Sequence, residues 1–223
     1  MVSQDDILTL FGTDFRRFLY DNFSSTETIN EAITQTGLIT KYLGEIELST
    51  GVQQSSTAKI YYNIPFFNPW YSTLMFKLQL TSLTNIFAWV GLKETAGDPT
   101  LTMTESHTAL IIYNGNVYFS TGNDEGASVN YQNTIIKGVD PRNNIIYRLR
   151  ENKFAFYPLP IQYPYFSGFR YEWPIRQWST DTINDNYPPE NMDHYFVAFI
   201  KNSTGFTKTL RIKHIVYGER YAD

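Results

Sequence analysis

Leu74-Met75-Phe76-Lys77-Leu78-Gln79-Leu80 decides the fold class, because Phe76, Leu78 and Leu80 fall on one side of an extended chain and Lys77 and Gln79 on the other. A period of two marks a strand with one buried face; a helix would need a period near 3.6. Ile111-Ile112-Tyr113-Asn114-Gly115-Asn116-Val117-Tyr118-Phe119 shows how such strands connect. Its Asn-Gly pair supplies the two positive-φ positions of a tight hairpin turn. Arg150-Glu151-Asn152-Lys153 joins 145–149 to 154–157 as a second hairpin. Working outward, further strands are expected over 38–48, 58–63, 87–92, 108–113, 116–120, 129–136, 145–150, 153–157, 194–201 and 207–217. With turn residues between these strands and no helical period after residue 37, the fold class is all-β: an antiparallel β-sandwich of jelly-roll or lectin-like type over 38–223.

The two ends of this reading differ in character. In the first 23 residues Leu8, Phe11, Phe15, Phe18, Leu19 and Phe23 recur at spacings of three and four, and Ser3 or Asp5 can cap a helix. Residues 1–23 are therefore expected to form an amphipathic N-terminal arm, helical or, because of Gly12 and Thr13, broken. Residues 24–36 read as a polar linker, so that 1–37 is an arm or docking segment. Late in the chain, 158–190 holds six of the ten prolines and eight aromatic residues, among them Tyr165, Phe169, Tyr171, Trp173 and Trp178. Proline keeps such a segment off central strands, and a loop of this length points to contact surface.

Composition narrows the function. The chain has 223 residues, no Cys, 18 Lys plus Arg against 22 Asp plus Glu, and a net charge of −4. Disulfides, thiolate chemistry and Cys-ligated metals are excluded, and the charge has the wrong sign for nucleic acid as main partner. No apolar run reaches the roughly 18 to 20 residues of a membrane span. The N-terminal Met1-Val2-Ser3-Gln4-Asp5-Asp6 is acidic where a secretory signal is basic, so the mature chain is expected to be the whole chain. Aromatic residues at 17% beside charged residues at 18% leave a surface solvated by uncharged polar groups or covered by other chains.

Candidates for chemistry are few. The histidines are His107, His194 and His214, with no Gly-x-Ser-x-Gly elbow near them, and His214 is in phase with the apolar positions of its strand. No metal motif occurs; Gly122-Asn123-Asp124-Glu125-Gly126 and 181–186 could offer oxygens to Ca²⁺ but read first as polar turns. No catalytic, cofactor or metal residue is assigned. A glycosidase would need two carboxylates facing one cleft. Tyr171, Trp173 and Trp178, beside Asn184 and Asp185, form a candidate sugar-stacking platform or assembly contact. Asn22-Phe23-Ser24 and Asn202-Ser203-Thr204 match the glycosylation acceptor pattern.

Three stretches carry a family resemblance: 1–8, Phe169-Arg170-Tyr171-Glu172-Trp173-Pro174, and the tail Tyr217-Gly218-Glu219-Arg220-Tyr221-Ala222-Asp223. Through them the whole chain resembles the vertex proteins of turreted icosahedral viruses that infect the archaeon Sulfolobus. The resemblance implies a non-enzymatic jelly-roll subunit of the penton base or turret, homo-oligomeric and pentameric. Its implied partners are the major capsid protein and other vertex proteins, and its implied place is the virion vertex, after assembly in the host cytoplasm. Leu8, Phe11, Phe15, Phe18, Tyr165 and Phe169 are then the expected assembly contacts. The alternative is a carbohydrate-binding module that recognises host-surface glycans. With 25 Asn plus Gln the chain lacks the ion-pair-rich surface usual in hyperthermophiles. In an acid medium, carboxylates near pH 3 to 4 are at least half protonated, and unchargeable polar groups are the safer surface.

Overall fold

A computed structural model of the chain describes residues 15–21, 23, 33–42, 44–70, 72–123, 134–135, 145–150, 153–157, 176–179, 188–189 and 191–220. These residues form two antiparallel sheets of eight and seven strands, and no helix occurs among them. The alternating stretch becomes β6 (Ser72–Leu80), with Leu74, Phe76, Leu78 and Leu80 in the core and Lys77 and Gln79 half-buried on the other face. On one side β6 pairs with β11 (Ile145–Arg150), followed by β12 (Lys153–Tyr157) and the edge strand β13 (Arg176–Ser179). On its other side lies the long β15 (Thr209–Arg220).

The far flank of β15 is shared end to end by two short strands. β4 (Glu45–Ser49) pairs with 209–212 and carries the edge strand β3 (Leu38–Tyr42), while β1 (Phe15–Asp21) pairs with 215–220. A bulge between Ile212 and His214 marks the change of neighbour. It also shifts the alternation, so that Ile215 and Tyr217 follow Leu210 and Ile212 into the core. An alternation counted forward from Leu210 and Ile212 therefore does not carry across the bulge, and the His214 side chain lies outside the described ones.

The seven-stranded sheet runs β10 (Thr134–Ile135), β9 (Asn116–Gly122), β8 (His107–Tyr113), β7 (Ile86–Lys93), β14 (Tyr195–Asn202), β5 (Thr57–Tyr62), β2 (Ile33–Thr36). The Asn114-Gly115 turn between β8 and β9 has φ of 45° and 86°, as the hairpin reading requires. Residues 38–48 are not one strand but the β3–β4 hairpin, turned at Gly44 with φ of 82°. One continuous core lies between the sheets, with Ile46, Phe76 and Ile212 on one side and Ile60, Val90, Ile112 and Phe196 on the other. Each such side chain contributes about 1.5–3 kcal/mol when fully buried.

The amphipathic arm expected over 1–23, helical or broken, is corrected over 15–21, which is strand. Its inward set is Arg17, Leu19 and Asp21, and only Leu19 looks like a core residue in sequence. Distant groups make this inward set possible. Arg17 meets Asp193 at 2.6 Å and the Phe66 carbonyl at 2.9 Å, with Glu219 at 3.5 Å. Buried Asp21 accepts from the Tyr62 hydroxyl at 2.8 Å and the Phe23 amide at 2.7 Å. Burial and the Asp21 charge push the Tyr62 hydroxyl's pKa well up.

Candidate functional site

Side chains alternate along each strand of the seven-stranded sheet, so the residues between those of the core form a second face, turned away from the sandwich interior. That outer face is also apolar. Phe87, Trp89, Ala109, Ile111, Val197 and Phe199 are all buried on it, with half-buried Tyr61, Tyr113, Tyr118 and Tyr195 around them. Register fixes who stands beside whom. One row across the strands reads Lys59, Phe199, Trp89, Ile111, Tyr118; the next, on the side of the β8–β9 turn, reads Thr57, Lys201, Phe87, Tyr113, Asn116. On the other side runs a row of smaller side chains behind Tyr61: Val197, Gly91, Ala109, Ser120. Phe87 meets Tyr113 and Phe199 with ring centroids 6.4 and 5.9 Å apart. Trp89 is fully buried, and its Nε1–H has no hydrogen-bond partner among the described residues.

The connection 94–106 crosses part of this face as a strap. Leu101 and Met103 pack onto the aromatic cluster. Lys59, on β5, donates to Asp98 at 2.6 Å and to the Ala96 carbonyl at 3.0 Å. Lys93, fully buried on β7, pairs with Glu105 at 2.7 Å and donates to the Thr95 hydroxyl and the Gly97 carbonyl. The two lysines thus fasten the strap from opposite sides of β14. Asp98→Asn is expected to loosen the strap and leave the sandwich intact. With Asp98 58% exposed, the loss is below about 1 kcal/mol. It should read as faster amide hydrogen exchange over 94–106 while β7 and β14 stay protected.

None of the seven strands contains Asp or Glu. The strap itself carries three acids, Glu94, Asp98 and Glu105, and the latter two are each held by a lysine of the face. Burial pulls the Glu105 carboxyl's pKa up, but hydrogen bonds from Lys93 and Thr95 and the Lys93 charge outweigh it and hold the group below its ordinary range. A general acid for glycoside cleavage needs the opposite shift.

At the Lys93 end of the face lies His107, with His194 at the start of β14. His107 Nδ1 donates to the Glu105 carbonyl at 2.6 Å and its Nε2 accepts from Ser120 Oγ at 2.7 Å. His194 repeats the arrangement with the Met192 carbonyl at 2.9 Å and Ser106 Oγ at 2.8 Å. A carbonyl can only accept, which fixes the neutral tautomer in both. Burial is the main cause that lowers both pKa values to about 4. These are Ser–His pairs without a carboxylate behind them, and both serines are buried. They are structural pairs.

The candidates from sequence fall elsewhere. Leu8, Phe11, Tyr165, Phe169, Tyr171 and Trp173 lie outside the described residues. Phe15 and Phe18 belong to β1, and Trp178 to β13, on the edge of the eight-stranded sheet and not on the aromatic face. Of the two candidate Ca²⁺ turns, only Gly122 and Asn123 are described. Among the described residues no group of three His, Asp or Glu could hold a metal ion, and no helix is long and apolar enough to cross a membrane. Asn202, of the second glycosylation pattern, is fully buried, and its Nδ2 is engaged by Thr50 Oγ1 and the Gly51 and Phe206 carbonyls, which closes it to modification. Sequence reasoning missed Tyr61, Tyr113, Tyr118 and Tyr195 because register, not spacing, gathers them.

By sequence the chain matches no protein-family model and no curated protein. Its shape does have relatives. A legume lectin-like domain from Entamoeba histolytica superposes with a TM-score of 0.61 at 11% identity, covering 91% of this chain and 97% of that one. The exoplasmic/lumenal domain of VIP36, in its Ca²⁺-bound form, gives 0.61 at 9% identity, covering 95% and 94%. A β-1,3-1,4-glucanase (lichenase) derived from a mouse hindgut metagenome gives 0.60 at 10% identity, covering 92% and 99%. At such identities the likeness is one of architecture: the chain has a legume-lectin-like β-sandwich fold.

Proposed function

We propose that this protein is a carbohydrate-binding domain that holds a glycan against the outer face of its seven-stranded sheet. The observation that carries the reading is the ring of half-buried Tyr61, Tyr113, Tyr118 and Tyr195 on a buried aromatic floor. A tyrosine offers a flat apolar ring to the C–H face of a sugar and a hydroxyl to its rim, and binding sites are largely apolar with a few polar groups. The lectin-like architecture supports this role, since the fold is shared with lectin-like domains and with glycan-cleaving enzymes. Binding is favoured over cleavage by the lack of carboxylates on the described strands of this sheet and by the engagement of both Asp98 and Glu105 with lysine.

A glycan array with the wild-type chain and Tyr113→Ala tests the proposal. The expected result is a defined set of bound glycans and at least about tenfold weaker binding by the variant, as for loss of a central aromatic contact. An array on which the folded wild type binds nothing overturns it. The capsid-vertex role implied by the sequence resemblance is a separate proposal. It is compatible with this one where a vertex protein attaches to a host glycan.

A further inference from the structure

The lysines of the outer face are not equivalent. Among the described strands this face carries three, Lys59, Lys93 and Lys201, and no acidic side chain. Asp98 neutralises Lys59 and Glu105 neutralises Lys93, both at the strap. Burial, the largest influence, keeps the nearby His107 uncharged near pH 7. Lys201 is the exception. It is exposed, no carboxylate among the described residues pairs with it, and it stands between Thr57 and Phe87 in the row that ends in Tyr113 and Asn116. One uncompensated positive charge therefore lies beside an aromatic surface in a protein whose net charge is −4.

We infer that the glycan is acidic, with a carboxylate or sulfate group paired to Lys201 while a sugar ring lies against Tyr113. The inference rests on the carbohydrate-binding reading above and names the class of glycan. The row has the right composition for such a ligand: a cation, a ring and the polar side chains of Thr57 and Asn116, over four strand intervals or about 19 Å. That span suits several sugar units. The ammonium is a point charge on a flexible stem, which serves an anion without demanding a bidentate geometry. Since the pair forms at an exposed site, its contribution weakens as salt rises.

The test titrates the full chain with a panel of uronate oligosaccharides, each paired with its methyl ester, and with sulfated and unsulfated forms of one galactan oligosaccharide. The expected result is about tenfold tighter binding of the charged member of a pair, lost in 0.5 M salt (on the order of a 4 Å Debye length) and lost in Lys201→Met. The uronate and sulfate arms tell which anion is read. Equal affinity within every pair, or a charge preference that survives in Lys201→Met, overturns the inference while neutral binding that depends on Tyr113 leaves the carbohydrate reading standing. Binding of no saccharide by folded protein overturns both. Lys201 is solvent-exposed, so its replacement leaves the fold unchanged, which a thermal melt verifies.

Discussion

Acidification from pH 7 to pH 4 is expected to remove about 6 kcal/mol of stability through His107 and His194 alone. Each imidazole is buried and neutral, with its pKa lowered from 6.5 to about 4, mainly by burial. The unfolded chain takes up a proton on each near pH 6.5 while the folded chain resists until about pH 4. In that window the unfolded state binds more protons, so stability is complete above pH 6.5 and falls steadily as the pH drops towards 4. A domain of this kind holds about 5–15 kcal/mol in total. Urea unfolding at pH 7, 5.5 and 4 measures the slope, and replacing both histidines by Gln flattens it. A wild-type stability that does not change between pH 7 and pH 4 would contradict the assignment of both imidazoles as buried and neutral. The result also bears on the surface of uncharged polar groups as an adaptation to acid. Such a surface removes carboxylate ion pairs from the exterior, but it does nothing for two imidazoles sealed inside.

Gly91→Val is expected to cost about 3 kcal/mol or more and to leave little soluble protein. Gly91 lies in β7 between Ala109 and Val197, at the middle of the seven-stranded sheet. A Cβ there would stand 2.3 Å from the Thr108 carbonyl oxygen and 2.6 Å from the Ala109 Cα. Both are backbone atoms of the neighbouring strand, so no rotamer change relieves the clash; β7 and β8 would have to part. Gly115 gives the contrast. It also rejects side chains, but only through its φ of 86°, since nothing lies within 4 Å of a Cβ there. Gly115→Ala should therefore cost about 1–2 kcal/mol and leave a folded protein, as parallel urea titrations would show.

How far the sequence could be read follows from where each strand's information lies. The alternation of 74–80 and the Asn114-Gly115 turn are local, and both hold in the structure. β1 was illegible because its inward side chains include Arg17 and Asp21, whose partners Asp193, Glu219 and Tyr62 lie far along the chain. The outer aromatic face was hidden for another reason. β7 is buried on both sides, and β14 nearly so. A strand apolar on both faces announces burial without saying which face meets the other sheet. The four tyrosines come from β5, β8, β9 and β14 and are brought to one face only through the pairing. The richest aromatic stretch of the sequence, 158–190, therefore drew attention to itself, while the surface that the structure presents is assembled from single residues on separate strands.

The sharing of one flank of β15 by β4 and β1 sets an order for the growing chain. β1 is the first of the described strands to be synthesised, and its partner among them, β15, is the last. At roughly 5–20 residues per second, about 200 residues of translation separate the two, a wait on the order of 10–40 s. Throughout that interval Arg17 and Asp21 are extended to water with neither Glu219 nor a finished sheet to receive them. The charged inward face that concealed β1 from sequence analysis thus keeps the waiting strand hydrated until its site exists.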